Sequence, residues 1–251
     1  MSRLLTRRAL VTAGLTVAAG ASGLGAASRY NLIPPDHGGI FGIGETLTYS
    51  AQRLLTSGHS MAREFQRSEI SKAAVVNGPA PKDETFRSLA ADGFKDWRLQ
   101  IEGLIAEPTS FSLEELKRLP MESHILLHAC EQGWSYIAEW TGVRLSSVLD
   151  LVKTRSDARY VVFMPFANPR QTTGEVRVQW DSIDMADALH PQTLLAYGMN
   201  GEALPPDFGA PVRLRMGRQL GYKNTKYLSR IIVTDRMDLY RKGDGTWYGG
   251  I

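Results

Sequence analysis

The chain has 251 residues, 43% of them hydrophobic, with 29 Lys+Arg against 26 Asp+Glu and a single cysteine. That length supports one good core, in one lobe or two, and one thiol excludes a disulfide scaffold, because it cannot staple its own chain. The formal charge of +3 does not mark a nucleic-acid binder: residues 1–30 hold four arginines and no acid, leaving 25 basic against 26 acidic residues in the rest.

Residues 1–30 come first in chain order. Arg3, Arg7 and Arg8 precede an uncharged run over 9–28 rich in Ala, Gly, Leu and Val, with small residues at Ala26-Ala27-Ser28. A basic start, an apolar middle and a small-residue end make a secretory signal, and Thr6-Arg7-Arg8 gives its twin-arginine form, which exports folded proteins to the periplasm. Left uncleaved, the run would serve as an N-terminal membrane anchor. Residues 31–58 are rich in Gly and Pro and read as an irregular lead-in, which leaves 59–251 as the working domain.

Within the lead-in and just beyond it, the spacing of Leu54, Leu55, Met61, Ala62 and Phe65 predicts a helix over 51–65, broken near Ser57-Gly58. Residues 77–84 read as loop, 99–105 as a half-buried strand, and Ser112-Leu113-Glu114-Glu115 as a capping box opening a helix that stops at Pro120. Strands follow at 125–129, 160–164 and 176–180, with helices over 145–152 and, capped by Asp181, over 181–189. Asn200-Gly201 between 194–199 and 202–204 is a type I′ hairpin signal, and 212–216 and 227–233 are further strands. Many short strands with few short helices predict an α+β, mainly β fold.

Three sites carry chemistry. The first is Cys130, because exported proteins use cysteines in pairs and this one stands alone. The second is the pair His124 and His128. On a strand, residues four apart lie about 13 Å from each other, too far to share an ion. On a helix the gap would be about 6 Å, and a zinc site using His124, His128 and Glu131 would be open. The intervening Ile-Leu-Leu favours the strand, where His128 and Cys130 share a face.

The third site is residues 211–230, which hold Arg213, Arg215, Arg218, Lys223, Lys226 and Arg230 and no acid. Such a run suits either a solvated face or a phosphate cradle, with Arg213 and Arg215 on one strand face and donors from Lys223, Asn224, Thr225 and Lys226 in a loop after Gly221. Gly23-Leu-Gly25 and Gly42-Ile-Gly44 lack the strand, third glycine or helix of a dinucleotide fingerprint.

At these residues a likeness emerges. The run HACEQGWSYIAEWTGVRLSSVLD, 128–150, resembles the cysteine segment of the sulfite oxidase-fold molybdopterin oxidoreductases. The run LHPQTLLAYGMNGEALPPDFGAPVRLRMGRQLGYKNTKYLSRIIVTD, 189–235, resembles the pterin-phosphate segment of the same family. Within it, the pattern is nearest the exported catalytic subunits of periplasmic methionine-sulfoxide reductases, and the likeness covers roughly residues 60–235.

The resemblance implies a single sulfite oxidase-type catalytic domain holding molybdenum on one mononucleotide-free pterin, with Cys130 as the metal's thiolate and His128 beside it. It also implies cofactor contacts from Gln66, Arg67, Phe208, Arg213, Lys223, Asn224, Thr225 and Lys226. The activity implied is oxygen-atom transfer, reducing S-oxides such as methionine sulfoxide, free or protein-bound, with electrons from a haem-containing partner. Sulfite oxidation is the alternative within the fold; an exported zinc hydrolase and a non-catalytic binding protein are those outside it. The sequence departs from the family at His128, where Arg is common, at Phe208, where a polar contact is usual, and at Pro165, in place of a hydroxyl residue. Tyr136 stands near enough to the cysteine in sequence to tune the metal; Trp140 is expected to be core.

Overall fold

Alternation turns into pairing along most of the chain. In order, the elements are α1 (Glu84–Ala91), β1 (Arg98–Gly103), β2 (Thr109–Ser112), α2 (Leu113–Lys117), β3 (Met121–Ala129), β4 (Ser135–Arg144), α3 (Leu145–Leu151) and β5 (Tyr160–Pro165). Then come β6 (Arg170–Thr172), β7 (Glu175–Arg177), β8 (Asp181–Asp184), α4 (Met185–Ala188), β9 (Thr193–Met199), β10 (Glu202–Ala203), β11 (Arg213–Met216) and β12 (Leu228–Thr234). The computed structural model describes residues 60–166, 170–172, 175–177 and 180–236, with Leu47, Ser50 and Ala51. The chain divides into two units, 1–57 and 58–251, and all of these elements belong to the second. The expected signal and nearly all of the lead-in, Gly42-Ile-Gly44 included, lie outside the described residues. Among the described residues no helix is long and apolar enough to cross a membrane.

Two five-stranded sheets face each other. One runs β2-β1-β12-β5-β8, with β1 and β12 parallel and the other pairs antiparallel. The other runs β10-β9-β4-β3, with β11 also on β9. Between them lies the main core: Leu99 and Ile101 of β1, Phe163 of β5 and Ile231 of β12 meet Val143 of β4, Leu195 of β9 and Leu214 of β11. Each such side chain is worth about 1.5–3 kcal/mol when fully buried, so the core sets which way every strand faces. Leu214 points into it, and therefore Arg213 and Arg215 on either side point out of the opposite face of their sheet.

The capping box is complete: Glu115 N–H donates to Ser112 Oγ at 3.1 Å and Ser112 N–H to Glu115 Oε2 at 2.7 Å. Asn200 and Gly201 take φ of +54° and +84°, as a type I′ turn requires. Two expectations fail, and one helix is unforeseen. Residues 60–65 are not helical; Glu64 bridges Leu126 and Phe65 N–H donates to Ile125 O, because β3 is an edge strand whose free backbone groups take a partner. Residues 77–83 are loop, and helix α1 follows where no element is expected, capped by Asp83, which accepts from Phe86 N–H at 2.9 Å. Residues 181–184 form β8 rather than a helix, and Asp184, not Asp181, caps α4 through Asp187 N–H at 2.9 Å.

The segment 60–77 straps the second sheet. After the bridge to β3, Ser71 N–H reaches Ile137 O at 3.0 Å and Asn77 O ends beside Lys226.

Candidate active site

Cross-strand pairs of β3 and β4 put His124 with Trp140, Leu126 with Ala138 and His128 with Tyr136 on one face of the second sheet. This is the face from which Arg213 and Arg215 project. Beyond Ala129 the chain reverses in a tight turn: Cys130 N–H donates to Trp134 O at 2.9 Å, Gly133 N–H to Cys130 O at 3.0 Å, and Gly133 takes φ +92°. Cys130 is buried, and its thiol donates to Glu131 Oε2 at 3.3 Å. Loss of solvation, before any other influence, raises its pKa above the usual thiol range. The sulfur therefore carries its proton near neutral pH.

Two buried guanidiniums form the floor opposite. Arg213 donates to Phe208 O at 2.8 Å and Asn224 O at 2.9 Å. Arg215 donates to Leu127 O at 2.8 Å, to Asn224 Oδ1 at 3.2 Å and, in a short contact, to Met216 O. Both lie over the Trp140 ring, 5.0 and 5.4 Å from its centroid. Lys226 adds a third cation, held by Asn77 O at 2.6 Å and Asp207 O at 3.0 Å. Among the described residues none of the three has a carboxylate in ion-pair contact. Burial pushes Arg215 down to about 9, with Arg213 adding repulsion, and burial, again with Arg213, pushes Lys226 down to about 8. Buried cations without counter-charge are costly, so the arrangement suits a site made for an anion.

His128 closes the side nearest the thiol. Its ring stacks on Tyr136 at 5.0 Å and on Trp134 at 5.9 Å. Burial first, then the fields of Arg213, Arg215 and Lys226, hold its pKa down to about 2, so the imidazole is neutral. Two glycines let the loops close on this space. A Cβ on Gly221 would come within 3.0 Å of His128 Nε2 and 3.3 Å of Ala129 O. One on Gly209, at φ +113°, would meet Lys226 Cβ at 3.0 Å and Arg213 Cβ at 3.2 Å.

His128, Phe208, Arg213, Asn224 and Lys226 thus belong to one neighbourhood, with Cys130 two residues beyond His128 and Thr225 between Asn224 and Lys226. Three expected residues do not. Lys223 is fully buried and pairs with Asp181 Oδ1 at 3.0 Å and Ser182 O at 2.8 Å, tying the loop to β8. Arg67 pairs with Glu139 at 2.7 Å, on the face opposite Trp140, and the exposed Gln66 stands beside it. Sequence reasoning sets Arg215 on the strand face of the candidate cradle, although the resemblance does not name it as a cofactor contact, and gives Trp140 to the core. The i, i+2 spacing to Arg213 is the available signal for the first; the second is buried yet also seats both guanidiniums. His124 is engaged by Glu64 at 2.8 Å and Glu122 at 3.4 Å. Among the described residues no three His, Cys, Asp or Glu are placed to hold a metal together, so the zinc alternative has no ligand set.

Lys226 gives a test of the cradle's strain. Its folded pKa lies below the unfolded one, so in cofactor-free protein its charge opposes folding below pH 8, and that opposition disappears as pH rises through about 8 toward 10.5. Wild type should gain stability relative to Lys226→Met across that window, on the order of 1 kcal/mol after solvent screening. Urea unfolding of both proteins from pH 7 to 10.5 measures it; a difference that stays flat contradicts the reading.

Four buried polar atoms around this space have no hydrogen-bond partner: His128 Nδ1, Trp140 Nε1, Arg215 Nε and Thr225 Oγ1. Orphaned donors and acceptors beside three uncompensated cations fit a polar, phosphate-bearing organic group, and a lone thiol fits the soft metal such a group would carry.

Comparison with known proteins agrees. Residues 87–240 match the family described as the oxidoreductase molybdopterin binding domain. A subunit of Azospira oryzae named for protein-methionine-sulfoxide reduction, YedZ1, is 35% identical over 192 residues, 74% of this chain and 68% of that one. The protein-methionine-sulfoxide reductase catalytic subunits MsrP of Xanthomonas campestris and Ralstonia nicotianae are 37% and 34% identical over 62% and 56% of this chain. The matched parts make up 51% and 44% of those two proteins, so the chain spans about half the length of each. The sulfane dehydrogenase SoxCD from Paracoccus pantotrophus superposes with a TM-score of 0.51 at 24% identity, over 57% of this chain and 39% of that one, a likeness of fold. The chain belongs to the oxidoreductase molybdopterin-binding family, with an α+β, sheet-rich sulfite oxidase-type fold and a cradle that fits its molybdenum–molybdopterin cofactor.

Proposed function

We propose that this chain is the molybdenum-bearing catalytic unit of an exported enzyme that reduces S-oxides, methionine sulfoxide among them. Cys130 supplies the protein thiolate to the metal. Arg213, Arg215 and Lys226 hold the pterin phosphate, while Asn224, whose Oδ1 accepts from Met216 N–H at 2.6 Å, keeps the loop closed around it. Thr225 Oγ1 and His128 Nδ1 are the free polar atoms left for the pterin itself. Bound there, the cofactor supplies two-electron oxygen-atom transfer. For an S-oxide the balance is one S–O bond broken, two electrons and two protons taken up, and water released.

The observation that carries this reading is that His128, two residues before the chain's one thiol, lies in the field of three cations with no carboxylate in ion-pair contact among the described residues. The choice of a neutral substrate over sulfite rests on what surrounds the sulfur: Glu131 lies 3.3 Å away and His128 is uncharged, so a small anion meets repulsion rather than an arginine. The names of the MsrP and YedZ1 relatives point the same way. The twin arginine at Arg7-Arg8 fits a protein that receives a buried cofactor before export to the periplasm, and its electrons then come from a haem-containing partner.

Purified, molybdenum-loaded protein assayed with reduced dye and methionine sulfoxide, and separately with sulfite and an oxidised acceptor, tests the direction. Turnover of the sulfoxide is expected, with sulfite oxidation at least tenfold slower. Fast sulfite oxidation with no sulfoxide reduction contradicts the proposal.

A further inference from the structure

A second space lies on the other side of the sheet. Strand β4 points Trp140 at the cradle and Glu139 and Thr141 the opposite way. There a cavity of about 640 Å³ opens between β4, the β9–β10 hairpin and the loop after α1. Its apolar wall includes Phe94, Leu113, Met121, Leu204, Pro206 and Pro211. None of Cys130, His128, Arg213, Asn224 or Lys226 lines it.

Two buried polar atoms there are without partners. Glu139, 7% exposed, pairs with Arg67 through Oε1, but its Oε2 has none. Tyr197, 9% exposed, has an unpartnered hydroxyl. A bulge lies at that tyrosine. Across β4 and β9, Thr141 pairs with Gly198 but Gly142 pairs with Ala196, so Tyr197 is an extra residue without a partner in the ladder. Alternation from Leu195 puts Tyr197 on the face of Val143, Thr141 and Glu139, and the bulge lets Gly198 follow on that face. Buried acceptors left unmade cost about 1–3 kcal/mol each, and more when charged, so a fold that keeps two of them beside a cavity is arranged to satisfy them with something else.

The charges define what that is. Of the four charged residues lining the cavity, Arg67 already serves Glu139 Oε1 and Lys117 serves Glu114 at 2.9 Å. The second oxygen of Glu139 and the carboxylate of Glu202 remain. We infer that this cavity is a second binding site, for an organic ammonium whose head donates to Glu139 Oε2 and Tyr197 Oη while its apolar body lies against Phe94, Met121 and the prolines. An ammonium brings only donors, which is what a carboxylate oxygen and a phenol oxygen can both accept. A cavity of this size, mostly apolar with a few converging polar groups, is ordinary for a small organic ligand.

The test uses the holoenzyme and three probes of one shape: phenethylammonium, neutral 2-phenylethanol and anionic 3-phenylpropionate, titrated by calorimetry. The ammonium should bind saturably, the alcohol at least tenfold more weakly, and the carboxylate not at all. Glu139→Gln should weaken the ammonium tenfold or more. Tyr197→Phe, which removes an oxygen the fold itself does not use, should weaken it about fivefold with an unchanged unfolding midpoint, and stands as the test if Glu139→Gln folds poorly. Cys130→Ser should bind the ammonium as wild type does, which separates this site from the molybdenum chemistry. No saturable binding at millimolar ammonium, equal binding of the alcohol, or indifference to both substitutions overturns the inference.

Discussion

Cys130→Ser folds with an unfolding midpoint close to wild type and turns over no substrate. The turn that carries the residue is made by backbone bonds, Cys130 N–H to Trp134 O and Gly133 N–H to Cys130 O, which a serine keeps. The thiol donates to the Glu131 carboxylate, to which a hydroxyl can also donate. A buried substitution that keeps its backbone and side-chain hydrogen bonds is expected to cost about 1 kcal/mol, the ordinary size for a point change. Function is another matter. The chain has no second cysteine to take over, and an alcohol neither ionises near neutral pH nor offers a soft donor. Thermal unfolding together with S-oxide turnover measures both halves. A variant that reacts at the normal rate removes Cys130 from the metal.

The second large effect falls on Arg215. Arg215→Met should lower stability by about 2 kcal/mol and leave the purified protein without molybdenum. Losing the guanidinium removes the donor to Leu127 O and to Met216 O and one of the two donors to Asn224 Oδ1, which keeps Met216 N–H. Part of that loss is offset, because a fully buried cation with no counter-charge is also removed. Asn224 then loses one of the contacts that hold the loop, and Trp140 keeps only Arg213 over its ring. Urea unfolding and elemental analysis of the same preparation decide it. A variant that retains its metal shows that Arg215 braces the sheet and does nothing for the cofactor.

How far the sequence carries such arguments differs from one residue to the next. The capping box at Ser112, the Asn200-Gly201 turn and the alternation of β1 are local, and local patterns are legible. So is the shared face of Arg213 and Arg215, since it follows from a two-residue period. Helix α1 has its signals as well. Asp83 caps it and Phe86, Leu89 and Ala90 give it one apolar face, yet Pro79 and Pro81 just upstream make the stretch resemble loop. Asp181 and Asp184 are three apart and either suits a cap. The choice between them is made by strand pairing, which sets Asp181 opposite Phe163 and Asp184 opposite Tyr160.

Lys223 and Arg67 are hidden for a different reason. Lys223 finds Asp181 across 42 positions and Arg67 finds Glu139 across 72, and nothing local foretells an ion pair between distant segments. The basic run 211–230 therefore contains two populations that look alike in sequence. Arg213, Arg215 and Lys226 have no carboxylate in ion-pair contact among the described residues, whereas Lys223 pairs with Asp181 and Arg218 with Asp187 at 2.7 Å. The same distance effect hides the cavity behind Glu139, because only the pairing of β4 with β9 brings Tyr197 and Glu139 to one face.

The most direct measurement of the central claim is X-ray absorption at the molybdenum edge on the loaded wild-type protein and on Cys130→Ser. Three sulfurs around the metal in the first and two in the second are expected, the missing one being the protein's thiolate. Equal sulfur counts in the two proteins would contradict it.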